Sequence, residues 1–415
     1  MERTRVVVTG LGAVTVLGAS VAQFWEGVLA GRSGVRRITA FDASHFPCQI
    51  AGEIPDFNVD DYMEKKEARR VARSAQVALG AATQALKDAG LPDPVPDAER
   101  TGVVFGTAIG GLERAAEGIY ALRERGVDRL NPFAVPSGIP NLSAYVIARR
   151  FQALGPNSTI TTACATGTQA VGEGAEFIRR GVADVVLAGG TEALIQDFAI
   201  GGFSAMRALP TNYNDEPTRA SRPFDAKREG FIFSEGAACL ILESLEHAKA
   251  RGARIYAEFA GHASSSDGYD MAAPHPEGLG AIRCMRWALK DAGMQPEEID
   301  YINSHGTSTP LNDSGETRSI KTVFGEHAYK LAVNSTKSMT GHAMGASGAI
   351  EAIACTLQLY HGVLHPTINY ENPDPECDLD YVPNVKRQQA IRTALSNSFG
   401  LGGQNACLVL KKYVG

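Results

Sequence analysis

The chain has 415 residues, 44% hydrophobic and 21% charged, enough to bury a sizeable core in two ordinary domains or one large composite fold. Its formal net charge of -6 argues against a nucleic-acid binder, because phosphate recognition is driven by basic surface. The opening MERTRVVVTGLG lacks a secretion or transit signature, no apolar run of about eighteen residues follows, and the seven cysteines (Cys48, Cys164, Cys239, Cys284, Cys355, Cys377, Cys407) form no CxxC pair, so a cytoplasmic protein with reduced thiols, no membrane association and no metal site is expected.

Apolar, β-branched residues predict the first strand at 5–9 (RVVVT). The run KKEARRVAR follows, with Lys65, Arg69 and Arg73 at i, i+4 and i+8 and Lys66 and Arg70 beside them, which predicts a basic stripe on one helix. Helical spacing continues over 75–89, and a second strand is predicted at 102–105. Residues 129–141, rich in Asn and Pro, read as an excursion from the core.

Next comes TTACATGTQAVGEGAEFIRRG, a β-branched strand end leading into a helix of small residues, with Cys164 at its start. A strand at 184–188 runs into the glycine-rich AGGTEA, a polar excursion occupies 210–222, and a further strand is predicted at 239–242. Beyond it lie a helix over 280–292 and a strand at 300–303 that delivers HGTSTPLND. LAVNSTKSMTGHAMGASGAIEAIACTLQLYHG then repeats the strand and small-residue helix around Cys164, and FGLGGQNACLVL closes the chain with a strand at 406–411. Short apolar strands alternating with helices predict an α/β fold with sheets covered on both faces. The echo predicts two duplicated halves, 1–250 and 251–415, with a site at their junction.

Three residues form a constellation. A thiol at a helix start faces unpaired backbone N–H groups and the positive end of the helix dipole, so Cys164 is expected to favour thiolate. Ala163, Ala165 and Gly167 leave room for a thioester beside it. His305 and His342 each lie on a glycine-flanked loop, unlike the other histidines. A cysteine can take an acyl chain as a thioester, and two neutral imidazoles can donate to a carbonyl oxygen that gains enolate charge as CO2 leaves. Lys337 is a plausible partner of Glu351; the pair either orients or tunes His342, or is an ordinary buried ion pair.

At these residues the chain resembles the beta-ketoacyl-[acyl carrier protein] synthases, from RVVVTGLGAVTVLG at one end to SNSFGLGGQNACLVLKK at the other, through TACATG, GGTEA, ASRPFD, GFIFSEGAA, HGTSTPLND and STKSMTGHAMGASG. The resemblance implies a thiolase-like five-layer α-β-α-β-α fold, a homodimer, and a catalytic triad of Cys164, His305 and His342. It also implies an oxyanion hole from the backbone N–H groups of Cys164 and Leu401, substrate contacts at Ile109, Thr307, Thr309 and Phe399, and docking of an acyl carrier protein at Lys65, Lys66, Arg69, Arg70 and Arg207. No cofactor is implied, since substrates arrive on the carrier's phosphopantetheine arm. The chain looks most like the elongating members that accept medium and long chains, with Ile109 bulk restricting chain length.

Two departures stand out. The final loop reads GLGGQN where the family has GFGGTN, placing Leu401 at an aromatic gate, and Asp270 stands where a histidine is frequent. Competing readings are a degradative thiolase with Cys407 as second cysteine, a polyketide ketosynthase, a non-catalytic chain-length partner, and a Cys/His hydrolase. The two histidines oppose the first, the presence of Cys164 opposes the third, and nothing suggests the water-positioning carboxylate the last would need.

Overall fold

The computed structural model describes residues 3–415. The first half runs β1 (Val6–Thr15), α1 (Arg73–Asp88), β2 (Thr101–Gly106), α2 (Leu142–Phe151), β3 (Asn157–Ser158), α3 (Thr166–Arg179), β4 (Val185–Glu192) and β5 (Gly236–Ser244). The second half repeats that order as β6 (Ala257–Ser266), α4 (Leu279–Ala292), β7 (Tyr301–Asn303), α5 (Pro310–Phe324), β8 (Ala332–Asn334), α6 (Ser347–His361), β9 (Thr393–Gly400) and β10 (Gln404–Lys411). Pairing repeats as well. In the first half β2 runs parallel to β3 and β4, β4 antiparallel to β5, and β5 antiparallel to β1. In the second, β7 runs parallel to β8 and β9, β9 antiparallel to β10, and β10 antiparallel to β6. The halves join edge to edge where β1 pairs antiparallel with β6 at Val6–Phe259, Val7–Glu258 and Val8–Ala257, giving a continuous 10-stranded sheet.

Strand alternation assigns each side chain to a layer. On β5, Ala238, Leu240 and Leu242 face the central cluster, while Ala237, Cys239 and Ile241 face an outer cluster with α1 and α2. On β10, Leu408 and Leu410 point to the centre, and Cys407 and Val409 point to the outer cluster formed with α4 and α5. Helices α3 and α6 fill the central layer, so the stack reads α1/α2, sheet, α3/α6, sheet, α4/α5. Their small residues are what permit this. A Cβ at Gly167 would sit 2.6 Å from the Ala349 nitrogen, and one at Gly348 would sit 2.0 Å from Thr168 Oγ1. Helix α6 is buried from Ser347 to Leu359, as a helix inside a core must be.

The sequence ended its first strand at Thr9, because glycine is depleted in strands. The strand instead continues to Thr15: Gly10 and Gly12 face α1 so closely that Cβ atoms there would lie 2.4 and 1.9 Å from the Ala85 and Ala81 carbonyl oxygens.

The single basic helix is corrected. A four-residue helix, Lys65–Ala68, ends in a turn that buries Val71 and Ala72, and α1 starts afresh at Arg73. Arg73 turns inward and forks onto Glu235 at 2.8 and 3.0 Å, while Lys65, Lys66, Arg69 and Arg70 stay exposed. The 129–141 excursion contains a short helix, Ala134–Gly138, whose surroundings leave Phe133, Val135 and Ile139 exposed. The 210–222 excursion ends in the buried Arg222–Asp225 ion pair at 2.9 Å. All seven cysteines are free and buried, and no helix among the described residues is long and apolar enough to cross a membrane.

Candidate active site

Cys164 is presented by a 3-10 turn, Ala163–Ala165, that feeds directly into α3. The residue before it, Ala163, holds a left-handed φ of 49°, a strained conformation that turns the thiol toward the second half. Met344, in the matching turn ahead of α6, has φ 40°, so the device occurs in both halves while only the first carries a thiol.

The second half delivers the histidines. His305 follows the end of β7, and His342 is held in an isolated β-bridge beside Phe233, His342 N–H donating to the Ile232 carbonyl at 2.7 Å and Ser234 N–H donating to the His342 carbonyl at 3.1 Å. One ligand atom from each of Cys164, His305 and His342 lies within 4.8 Å of the others. The two imidazole centroids are 5.4 Å apart with planes at 84°, and Phe399 and Phe231 pack edge-on against His305 and His342 at 5.7 and 5.4 Å.

Protonation follows from burial and one cation. Burial, then the Lys337 charge, holds both imidazoles well below the usual histidine range, with His342 adding to the effect on His305, so both rings are neutral at pH 7. Ser347 Oγ lies 2.9 Å from His342 Nδ1. When that hydroxyl donates, the ring proton sits on Nε2, an atom with no hydrogen-bond partner among the described residues. The Lys337 ammonium is itself buried and bonds Glu351 Oε1, while burial keeps the Glu351 carboxyl up at about 7. The sequence left that pair either structural or tuning. The contact forms, and its cation acts on both rings and on the thiol.

The expectation of a helix-start thiolate is overturned. Cys164 is only 5% exposed, and burial pushes its thiol up to about 11, outweighing the Lys337 charge and the Leu401 backbone N–H, which favour thiolate. Gly400 brings the Leu401 loop over the thiol: a Cβ there would lie 2.8 Å from the Thr162 carbonyl and 3.2 Å from the Cys164 nitrogen. The backbone amides of Leu401 and Cys164 therefore converge at the sulfur.

The three residues open into a cavity of about 490 Å3, whose wall includes Thr307, Thr309, Phe399, Leu401, Asp270 and Arg207. Thr307 and Thr309 hydroxyls bond each other at 2.9 Å. Ile109 lies off this wall; it packs instead against the apolar cluster containing Cys164, Leu194, Ile195 and Met344. Of the five basic residues expected to dock a carrier, Arg207 alone lines the cavity, and it is exposed. Asp270 caps its own loop by accepting from Ala272 and Ala273 N–H at 2.8 and 2.9 Å. Cys407 faces away, donating to Asn397 Oδ1 at 3.1 Å in the outer cluster, which removes the basis for a two-cysteine thiolase.

Sequence reasoning missed several supports. Glu316 accepts the His305 and Gly306 amides at 2.8 and 2.9 Å and thereby fixes the histidine loop. Ser221 Oγ donates to the Lys337 carbonyl at 2.7 Å, and Arg222 N–H donates to Ser308 Oγ at 2.9 Å, so ASRPFD straps the segments that carry Lys337 and His305. The signal for Ser347 was its position five residues past His342, at a helix start.

Family profiles described as "Beta-ketoacyl synthase, N-terminal domain" and "Beta-ketoacyl synthase, C-terminal domain" match residues 3–248 and 256–371. The chain is 48% identical over 413 residues to a Synechocystis sp. protein named 3-oxoacyl-[acyl-carrier-protein] synthase 2, covering 100% of this chain and 99% of that one. It is 49% identical over 412 residues to a Coxiella burnetii protein of the same name, covering 99% of each. A solved structure titled "AntDE:AntF (apo): type II PKS acyl-carrier protein in complex with its ketosynthase bound to the hexaketide" superposes with a TM-score of 0.90, at 38% identity, over 100% of both chains.

Proposed function

The chain belongs to the beta-ketoacyl synthase family, and from that premise we propose that it catalyses decarboxylative condensation of malonyl-[acyl carrier protein] with an acyl chain held on Cys164. The products are a 3-oxoacyl carrier and CO2, in fatty acid elongation. The observation that carries this reading is the convergence of Cys164, His305 and His342 on one cavity wall.

In acyl transfer the Cys164 sulfur attacks the thioester carbonyl of an acyl carrier. The carrier sulfur leaves and takes up the proton that Cys164 gives up, so the step is neutral overall. The tetrahedral oxyanion falls to the Cys164 and Leu401 N–H groups. Malonyl carrier then enters the emptied cavity. Its C–C bond to the carboxylate breaks, CO2 leaves, and the electron pair moves into an enolate whose oxygen accepts from the two neutral imidazoles. A histidinium could also donate there, but keeping both rings uncharged avoids burying extra charge beside Lys337. The carbanion attacks the acyl-Cys164 carbonyl, the same amides stabilise the second oxyanion, and its collapse breaks the C–S bond, releasing Cys164 as a thiolate that takes one proton from solvent.

Ile109, beside Cys164 but off the main cavity, suits the acyl tail, while the Thr307 and Thr309 hydroxyls and Phe399 suit the incoming arm. Arg207 at the mouth, with Lys65, Lys66, Arg69 and Arg70 on the exposed surface, supports docking of an acidic carrier protein. A homodimer is supported by the short edge strand β3, paired on the β2 side, and by exposed Phe133, Val135, Ile139 and Tyr145 nearby in the chain. A type II polyketide ketosynthase would use the same chemistry. Identities of 48% and 49% to synthases named for 3-oxoacyl carriers, against 38% to the polyketide ketosynthase, favour fatty acid elongation. The presence of Cys164 speaks against a non-catalytic chain-length role.

The test uses two variants. Cys164→Gln, with a neutral side chain in place of the acyl-thioester, is expected to decarboxylate malonyl carrier without forming 3-oxoacyl product, and Cys164→Ala to lose acyl transfer. Full condensation by Cys164→Ala would end the proposal.

A further inference from the structure

Glu192 ends β4 in the segment GGTEA and has no exposed surface; it is not one of the reacting groups above, though its charge adds to the raising of the Cys164 thiol. Its Oε1 accepts from Thr107 Oγ1 at 2.9 Å and from Ile109 N–H at 3.4 Å. Its Oε2 accepts from Ala108 N–H at 2.8 Å and from Gly345 N–H at 3.2 Å. These partners are amides and a hydroxyl, so a buried carboxylate is held without a cation in direct contact, an arrangement that is expensive unless the anion is needed. Burial lifts the carboxyl to about 7, and the four donors hold it down.

The second half carries a counterpart. Ala108–Ile109 occupy the second and third positions beyond the end of β2, and His305–Gly306 occupy the same positions beyond β7, the equivalent strand. Glu192 takes the first pair of amides as Glu316 takes the second. One carboxylate per half thus fixes the turn that carries a functional side chain. For Glu316 that side chain is a triad histidine. For Glu192 it is Ile109, packed against the cluster around Cys164. The fourth donor, Gly345, belongs to the turn between His342 and α6, so the same carboxylate ties the Ile109 turn to the second half.

We propose that Glu192 is a positioning residue for acyl-chain selection, pinning the Ile109 turn against the Cys164 side of the pocket so that Ile109 restricts the chain. This rests on the reading that Cys164 carries the acyl group. Glu192→Gln replaces one acceptor oxygen by an NH2 that must turn toward one of the four donors, and the turn from Thr107 to Gly110 yields.

The experiment compares acylation of Cys164 by short and long acyl carriers. In Glu192→Gln the long-to-short ratio of kcat/KM is expected to rise about tenfold, mainly through KM for the long donor, the scale of one lost charged hydrogen bond. Malonyl decarboxylation, read in a Cys164→Gln background, is expected to stay within about twofold. Ile109→Ala should raise the ratio too, and the double variant should exceed Ile109→Ala by nothing, because Glu192 acts through that side chain. Thr107→Val, which keeps the carboxylate and removes one donor, should give a smaller rise and covers the case in which Glu192→Gln folds poorly. An unchanged ratio in both Glu192→Gln and Thr107→Val, or effects that multiply in the double variant, would overturn the clamp alone. If the wild-type chain does not acylate Cys164 at all, the condensing reading falls first and the clamp with it.

Discussion

Cys164 rests as a thiol rather than a thiolate, and its surroundings explain why that is workable. Burial dominates its titration, the Lys337 charge partly offsets it, and the amides of Leu401 and Cys164 reach the sulfur. In the proposed acyl transfer, these groups stabilise the anion where it forms. Because the folded value is raised to about 11, the thiolate fraction should grow about tenfold per pH unit throughout the neutral and mildly alkaline range. Alkylation of Cys164 by iodoacetamide, followed on its own peptide by mass spectrometry, should therefore rise steadily between about pH 7 and pH 9. A plateau beginning near pH 7 would contradict the buried-thiol assignment. The sequence revealed which three residues meet, because their types, glycine flanks and helix-start positions are local. It misjudged the protonation of Cys164, because the deciding quantity is burial by residues from both halves. Glu316 and Ser221 were equally invisible as roles, since their partners lie in loops far from them or in no recognisable pattern.

Among the elements, the paired starts of α3 and α6 are the most constrained. Gly167 and Gly348 each face the backbone amide of the residue after the other, which lets the two helices cross where Cys164 and His342 are delivered. Gly348→Ala places a methyl carbon 2.0 Å from Thr168 Oγ1 and 2.5 Å from the Thr168 nitrogen, so either helix must shift. Overpacking of this kind costs about 1–3 kcal/mol, and the urea unfolding midpoint should fall, with condensation falling alongside it. An unchanged midpoint and full activity would show that this crossing is not tight. Small-residue helices were legible as a pair from composition alone. The basic stripe was not: charge spacing looked continuous from Lys65 to Arg73, yet Val71 and Ala72 bury themselves and break the helix between. Glycine misled in the other direction at β1, where its lack of a side chain serves packing against α1 and not a turn.

For the whole molecule, the repeated order of elements brings the site together at the junction of the two halves, and the residues at matching places differ. Equivalent turns precede α3 and α6, with the thiol in the first and Gly345 at the matching place in the second. The first half contributes Cys164 and the second contributes both histidines, the Lys337 cation and the Leu401 loop, so neither half holds a complete site. The repeated order of strands and helices was legible because each unit is a local pattern of apolar strand and amphipathic helix. The edge-to-edge junction of β1 with β6 was not, because strand pairing across about 250 residues leaves no local trace. The claim on which the rest depends is that Cys164 carries the acyl chain. Its most direct measurement is the mass of the intact protein after incubation with a long-chain acyl carrier, with the adduct mapped by peptide digestion. One acyl group per chain on the Cys164 peptide, absent from Cys164→Ala, is the expected result; an equal adduct on Cys164→Ala, or one mapped to another residue, would contradict it.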